Sequence, residues 1–262
     1  MYGWRGKLGL IKATSQGPSY EFWYRNVPAG VEIKPTAIGY TKGQRSEFAT
    51  GPERAEERAT QLAADGCTCV MIGGTPPFLL QGPQFELDWQ KRVEAALGIP
   101  VITPMIPHVL AMRALGLESV AVATYYRQEL NDAIVSYLAQ CGIRGVVTEG
   151  LQQGTQTEEL FATPLGSQEA LSAAAVYKYC KKVVEDIGGG VDGLYINGGG
   201  WEVSPVLNIL EDDLELPVVW AQPADLWVCF RRMRIRAANG GHGRLLREWP
   251  ALSTDNVMDV LT

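Results

Sequence analysis

The sequence predicts an α/β fold of two pseudo-symmetric halves, each a mostly parallel sheet flanked by helices. Short apolar runs that end in Gly, Thr or Pro alternate with longer segments of helical periodicity, which is typical of parallel sheets covered by helices. Apolar residues make up 46% of the 262 positions, enough for a continuous core. We expect a single unit over 1–262, with one half formed by 1–116 plus 235–262 and the other by 117–234.

The predicted strands and helices alternate along the chain. Gly98, Gly116 and Gly142 each close a helical pattern, as glycine commonly does at a helix end. Strands are predicted at 8–11, 31–38, 69–72, 100–102, 119–123, 145–148, 194–196 and 217–220. Helices are predicted at 54–64, 89–97, 108–115, 128–140, 167–187 and 225–237.

An internal repeat indicates the two halves. The segments GIPVIT at 98–103 and ELPVVW at 215–220 each precede a helical pattern. Each also follows a strand that runs into glycines, MIGGTPP at 71–77 and YINGGGW at 195–201. Such self-similarity favours duplicated structural units, and chance similarity of a common strand opening is the alternative. If the repeat is real, the two glycine turns face one another across one cleft.

The composition excludes several classes of partner. The formal net charge of −6 argues against a nucleic-acid partner, which needs a basic surface. No run reaches the apolar length of a membrane span, and the N-terminus lacks the apolar stretch of a signal peptide. We therefore expect a cytoplasmic protein without a membrane partner. The sequence leaves the oligomeric state open, a homo-oligomer included.

The cysteines and histidines predict neither disulfides nor a metal site. Five cysteines stand without a spaced framework, which favours reduced, buried thiols. The two histidines, His108 and His242, lie far apart in the sequence, so a zinc site built from His and Cys is not expected.

The two glycine turns are candidate anion sites. A glycine turn between a strand and a helix exposes backbone N–H groups at the helix N-terminus. Two inward-facing turns fit a small substrate with one or two carboxylates, or the enolate formed from it. Simple tight turns are the alternative. Neither turn has the pattern of a phosphate-binding loop, and we expect no cofactor.

Four motifs carry a resemblance to known families. They are GGTPPF at 73–78, AVATYY at 121–126, DGLYINGGG at 192–200 and GHGRLL at 241–246. In this order they resemble arylmalonate decarboxylases and maleate cis-trans isomerases, within the aspartate/glutamate/hydantoin racemase superfamily. The resemblance implies that superfamily's fold of two pseudo-symmetric halves. It is more specific for the superfamily than for any one of its reactions.

The resemblance also implies site residues. Racemases and maleate isomerases place a catalytic cysteine at both strand–helix turns, and arylmalonate decarboxylase at the second. Matching the motifs puts these positions on Gly74 and Gly198, so both cysteines are replaced by glycine. The decarboxylase's pocket for a carboxylate that becomes an enediolate is matched by Thr75, Tyr126 and the N–H groups of Gly198 and Gly199.

Residues beside the turns are further candidates. Glu202 follows the second turn and is predicted as an acid or base, or as a helix N-terminal residue that interacts with the helix dipole. Thr14 and Ser15 follow the first strand, where these families bind substrate, with turn chemistry as the alternative. Tyr40 and Trp201 are predicted to wall an apolar pocket, or to belong to the core.

Four more side chains have two interpretations each. Lys12 either pairs with a substrate carboxylate or lies at a sheet edge with a solvated amine. His108 either shuttles protons or, as is more usual, caps a helix or lies on the surface. Tyr125 and Tyr195 flank the strands of the site, where packing is the commoner role.

Together these residues favour a cofactor-independent lyase of the decarboxylase type, or an isomerase. It would act on a small carboxylate through an enediolate-like intermediate, without a catalytic cysteine. Thr75, Tyr126 and the second turn would stabilise the intermediate, and water or Glu202 would supply the proton. Two alternatives stay open: a hydrolase or hydratase with a water in the vacated cysteine space, and a non-catalytic protein that binds a carboxylate.

Overall fold

Two parallel sheets of identical strand order form the centre of the protein. The computed structural model describes residues 3–15, 18–152, 160–163, 171–237 and 241–252. Within these residues the first sheet has the order β2-β1-β3-β4 and contains β1 (Gly6–Lys12), β2 (Val31–Ala37), β3 (Cys69–Ile72) and β4 (Val101–Ile102). The second has the order β6-β5-β7-β8 and contains β5 (Ser119–Ala123), β6 (Arg144–Val147), β7 (Gly193–Ile196) and β8 (Val218–Trp220). The shared order confirms the predicted α/β fold of two similar halves. The boundary at 116 and 117 stays a prediction.

The register brings the functional segments to one edge of each sheet. In the first sheet Ile11 pairs with Ile72, so β1 and β3 end side by side. In the second sheet Ala123 pairs with Ile196, so β5 and β7 end side by side. Ligands of parallel sheets bind beyond the carboxyl ends of the strands. The residues that follow these four strands are therefore the place to look for a site.

Helices flank both sheets. They are α1 (Pro18–Asn26), α2 (Arg45–Ala49), α3 (Gly51–Ala64), α4 (Pro76–Leu79), α5 (Pro83–Leu97), α6 (Ile106–Ala114), α7 (Gln128–Gln140), α8 (Ala173–Ile187), α9 (Leu207–Leu214), α10 (Ala221–Arg232) and α11 (Gly243–Glu248). In the described part of the chain, none of them combines the length and the apolar character that crossing a membrane requires.

Five of the six predicted helices have different bounds in the structure. Those expected at 54–64, 89–97 and 108–115 are α3, α5 and α6, which begin two to six residues earlier than predicted. The helix expected at 225–237 begins at Ala221 and ends at Arg232. Its end was misplaced because Ile235 and Ala237 are buried although they lie beyond the last helical turn, and an apolar pattern indicates burial rather than helix. The helix expected at 167–187 begins after Ser172, whose hydroxyl accepts a hydrogen bond from the Ala175 N–H at 3.2 Å. Residues 167–170 lie outside the described residues.

Helices α6 and α10 pack against each other between the two halves. Each follows the last strand of one sheet, yet α10 also contacts β3 and α6 also contacts β8. Both helices are thus covered on several sides, and polar residues on them are buried between the halves.

Candidate functional site

The two glycine turns have matching positions and matching backbone conformations. Gly74 is the second residue after β3, and Gly198 is the second residue after β7. Their φ angles are +107° and +99°, in the left-handed region that favours glycine. The equivalence of the two turns is therefore visible in the backbone as well as in the sequence.

Three buried side chains from both halves meet beside these turns. Thr75 follows the first turn, Tyr126 follows β5, and Asn197 follows β7. The Tyr126 hydroxyl donates a hydrogen bond to Asn197 Oδ1 at 2.9 Å, and the Thr75 side chain lies close enough to the Tyr126 hydroxyl to act on its pKa. Burial raises the pKa of Tyr126 well above its usual value, so its hydroxyl stays neutral. The structure brings together the two residues predicted to hold an oxyanion, and that role stays a prediction.

The second turn is fixed by side chains behind it. The Gly198 carbonyl accepts hydrogen bonds from Trp201 Nε1 at 3.1 Å and from Trp220 Nε1 at 2.9 Å. The Gly199 carbonyl accepts one from Gln222 Nε2 at 3.1 Å. These bonds fix two successive peptide planes, and hence the directions of the N–H groups that follow each carbonyl. Trp201, predicted to wall a pocket or belong to the core, is fully buried and supports the turn.

Tyr125 occupies the space next to Gly198. A Cβ atom built on Gly198 would lie 2.4 Å from the Tyr125 hydroxyl oxygen and 2.6 Å from its Cζ. The Tyr125 ring is held edge-on to the rings of Tyr126 and Trp201, with centroid distances of 5.1 Å in each case. Burial raises the pKa of Tyr125 to about 12, although the Gly200 N–H and Tyr126 oppose this shift. A neutral phenol thus fills the volume of a side chain at residue 198.

The first turn has different surroundings. A Cβ atom built on Gly74 would lie 3.2 Å from the Ala13 Cβ and 3.9 Å from Tyr40 Cε2. The Tyr40 hydroxyl is buried and has no hydrogen-bond partner among the described residues. The Arg54 guanidinium lies 5.6 Å from the centroid of the Tyr40 ring. Tyr40 therefore lies buried beside the first turn, and its role as a pocket wall stays a prediction.

A chain of buried polar groups connects the site to the interface between the halves. Asn197 Nδ2 donates a hydrogen bond to the Tyr195 hydroxyl, which lies 2.7 Å from His108 Nδ1. His108 Nε2 in turn lies 3.3 Å from Asp225 Oδ1. His108 is only 1% exposed, so the expectation of a surface or cap position is wrong. The reason is that α6 is packed against the second half rather than turned to solvent.

The Lys12 amine lies inside the protein at the end of β1. The residue is 6% exposed because β1 is an inner strand of its sheet, so the alternative of a solvated edge amine is wrong. Its Nζ lies 5.3 Å from the centroid of the Trp23 ring. Burial lowers the pKa of Lys12 to about 8, and the Asp225 carboxylate opposes this shift. Burial raises the pKa of Asp225, while His108 and Lys12 act to lower it.

Three predicted residues lie at more open positions. The Thr14 carbonyl accepts a hydrogen bond from the Tyr20 hydroxyl at 3.1 Å, and Ser15 is exposed. Glu202 is also exposed, and the following 3-10 turn begins only at Ser204, so the expectation that Glu202 opens a helix is wrong. The structure does not place its carboxylate in the buried tyrosine–threonine cluster. The functional roles of these three residues stay predictions.

The cysteines belong to the core, as expected. All five are buried. Cys69 on β3 and Cys229 on α10 hydrogen-bond to each other, and burial raises the pKa of Cys141 to about 12. These thiols are therefore packing groups of the core.

Sequence reasoning missed Asn197 and Asp225. Asn197 stands directly before Gly198 in the repeated strand–glycine motif, so its position after the strand was a usable signal. Asp225 stands in the run PADLWVCF at 223–230, where its neighbours are almost all apolar. A lone carboxylate in such a run indicates a buried charge, and a buried charge needs a partner.

The comparisons with known proteins agree with this architecture. A variant of arylmalonate decarboxylase in liganded form, with one glycine exchanged for cysteine and one cysteine for serine, has a similar structure. Its TM-score is 0.81 at 20% identity, covering 93% of this chain and 99% of that chain. A cysteine-to-alanine variant of maleate isomerase from Pseudomonas putida with maleate has a TM-score of 0.78 at 17% identity, covering 92% and 97%. These structures share the fold of this protein.

The sequence comparison identifies the family. The arylmalonate decarboxylase family model matches residues 26–246. An arylmalonate decarboxylase of Bordetella bronchiseptica is 26% identical over 197 residues, which cover 75% of this chain and 78% of the relative. The chain belongs to the arylmalonate decarboxylase family.

Proposed function

We propose that the protein is a cofactor-independent lyase of the decarboxylase type, acting on a small carboxylate of the malonate class. The bond between the α-carbon and one carboxylate breaks and carbon dioxide leaves. The bonding electrons pass into the remaining carboxyl group, which becomes an enediolate, and the α-carbon then takes up a proton. The names of the similar proteins refer to arylmalonate and maleate, which are both small dicarboxylates.

The observation that carries the proposal is the meeting of Thr75 and Tyr126 beside the second glycine turn. Both side chains are buried, neutral hydroxyls, and the peptide planes of the turn are fixed by the hydrogen bonds of its carbonyls. Preorganised donors in a buried site stabilise developing negative charge strongly. The Tyr126 proton, directed to Asn197 Oδ1 in this structure, can rotate toward an entering carboxylate.

The difference between the two turns favours decarboxylation over isomerisation. Decarboxylation needs charge stabilisation and one proton donor. Racemisation needs an acid and a base on opposite faces of the carbon, and isomerisation through a covalent adduct needs a nucleophile such as a thiolate. Neither Gly74 nor Gly198 offers a side chain. A phenol oxygen, that of Tyr125, lies 2.4 Å from the Cβ position of Gly198, whereas the Tyr40 phenol presents only a ring carbon at 3.9 Å from that of Gly74. An isomerase without a thiol is the second form of the proposal and has less support.

The filled space beside Gly198 argues against hydration or hydrolysis. That alternative needs a water in the volume of a missing side chain, which Tyr125 occupies. Turnover in ¹⁸O-labelled water separates the two reactions, because only hydration or hydrolysis places solvent oxygen in the organic product. A non-catalytic carboxylate-binding protein would be stabilised thermally by an acid that it does not consume.

The proposal is tested by turnover of a panel of malonates that includes phenylmalonate, followed by proton NMR of the product and by carbon dioxide release. Thr75→Val and Tyr126→Phe are each expected to lower kcat by about 10²–10³, the usual effect of losing one oxyanion donor. Thr60→Val on the exposed face of α3 and Tyr177→Phe on α8 are the matched controls. Wild-type turnover in both site variants would show that these roles are assigned wrongly.

A further inference from the structure

The Tyr125 hydroxyl lies where a side chain at residue 198 would project. Its oxygen is 2.4 Å from the ideal Cβ position of Gly198, and its Cε1 is 2.7 Å from that position. We infer that the Tyr125 hydroxyl is the acid that protonates the α-carbon of the substrate. This inference rests on the proposed decarboxylation and names the proton donor for it.

Among the described residues, chain neighbours aside, a hydroxyl occupies the side-chain position of the second turn but not that of the first. At the first turn, apart from the neighbouring Gly73 and Thr75, the atoms closest to a Cβ built on Gly74 are the Ala13 Cβ and Cα and, at 3.9 Å, a ring carbon of Tyr40. A proton donor on one side of the substrate fits a reaction that delivers one proton to one face. It does not fit racemisation, which exchanges protons on both faces.

The Tyr125 ring is held from several directions. Its centroid lies 5.1 Å from the rings of Tyr126 and Trp201 and 6.0 Å from the ring of Phe161, which is stacked on it. The Gly200 N–H lies close enough to its hydroxyl to lower the pKa of Tyr125. A ring with this many contacts holds its hydroxyl in one place, and fixed placement is a main source of rate acceleration.

The protonation state of Tyr125 suits an acid. Burial raises the pKa of Tyr125 to about 12, so the phenol keeps its proton across the neutral range. The α-carbon of an enediolate is a much stronger base than a phenolate, so the transfer is favourable. The exposed Glu202, predicted as a donor from the sequence, has no comparable position at the turn.

The proton balance closes with water as the only further reactant. The O–H bond of Tyr125 breaks, and its electron pair stays on the phenolate oxygen. The enediolate supplies the electron pair of the new C–H bond. Water then returns a proton to the phenolate, and the hydroxide left over combines with the released carbon dioxide as bicarbonate.

The inference is tested with a prochiral substrate, α-methyl-α-phenylmalonate, whose product 2-phenylpropanoate is chiral. Tyr125→Phe keeps the ring and removes only the hydroxyl. We expect kcat to fall by about 10²–10⁴, the usual range for losing a general acid, and the product to lose its enantiomeric excess, because solvent then protonates either face. Tyr126→Phe is expected to lower kcat with the enantiomeric excess retained, and the surface control Tyr177→Phe to change neither.

The outcomes separate this inference from the proposed function. If wild-type protein consumes none of the malonates, the proposed function fails and this inference fails with it. If wild-type protein is active and Thr75→Val is impaired, but Tyr125→Phe keeps both rate and enantiomeric excess, only this inference is overturned. If Glu202→Gln loses the enantiomeric excess while Tyr125→Phe retains it, Glu202 is the proton donor. That result also overturns the inference.

A second measurement applies if Tyr125→Phe does not fold. Incorporation of 3-fluorotyrosine at position 125 keeps the packing and lowers the pKa of the phenol. The alkaline limb of the pH–rate profile is then expected to move to lower pH. An unchanged limb in active protein would rule out Tyr125 as the donor.

Discussion

Adding a single methyl group at each glycine turn tests whether Tyr125 fills the side-chain space of residue 198. Gly198→Ala and Gly74→Ala are a matched pair, because their φ angles are +99° and +107°. Each alanine is strained there by about 1–3 kcal/mol. The new Cβ would lie 2.4 Å from the Tyr125 hydroxyl in the first variant but 3.2 Å from the Ala13 Cβ in the second. Overpacking by a methyl group costs about 1–3 kcal/mol, so Gly198→Ala should be more destabilising by about that amount.

The assay is urea unfolding with the m-value checked for constancy, since only then does the midpoint report stability. In a Tyr125→Ala background the extra cost of Gly198→Ala should disappear. In a Tyr125→Phe background it should remain, because Cζ and Cε1 already lie 2.6 and 2.7 Å from the new atom. Equal costs for Gly198→Ala and Gly74→Ala would refute the steric reasoning.

Two further predictions concern the buried charges between the halves. Folding lowers the pKa of Lys12 from 10.5 to about 8, so between these pH values the unfolded chain binds a proton that the folded protein has lost. The stability of the wild type relative to Lys12→Met should therefore rise from pH 8 to pH 10.5, by up to about 3 kcal/mol. A difference between their urea midpoints that is the same at both pH values would contradict this. Asp225→Ala leaves the Lys12 charge and His108 without their carboxylate and should cost about 3–5 kcal/mol in the same assay. The control is Asp186→Ala, because Asp186 is exposed and paired with Lys182. Its replacement should lower the free energy of unfolding by less than about 1 kcal/mol. Equal losses of stability in Asp225→Ala and Asp186→Ala would contradict the argument.

The sheets and the turns between strand and helix were predictable because their signals are local. The strand at 69–72, the strand at 119–123 and the helix at 128–140 have the predicted bounds. Buried parallel strands are short apolar runs, and the glycines after them stand where the backbone needs a positive φ. This pattern of a strand, a glycine turn and a helix occurs twice in the sequence. Its repetition predicts two halves, because similar local sequence patterns favour similar local structures.

The buried charges were not predictable in the same way. His108 and Lys12 each had two interpretations, since one sequence does not show what covers a helix or strand from outside. The packing of α6 against α10 across the two halves removes His108 from solvent, and the inner position of β1 in its sheet removes Lys12. Their partner Asp225 lies far from both in the sequence, and no spacing rule connects them.

Tyr125 and Gly198 are best understood as one unit. A residue with a Cβ at 198 would collide with the phenol, and a small residue at 125 would leave a cavity beside the bare turn. The glycine at 198 therefore does more than remove a side chain, because it leaves room for the hydroxyl of Tyr125, two residues after the neighbouring strand β5, at the same place. By this argument the side chain introduced by Gly198→Cys collides with the Tyr125 phenol and cannot act as a thiol acid. A small residue at 125 is needed to make room for the thiol. If Thr75 and Tyr126 bind the anion as proposed, they do so both with Tyr125 beside Gly198 and with a cysteine at 198 beside a small residue at 125, so that only the source of the proton differs.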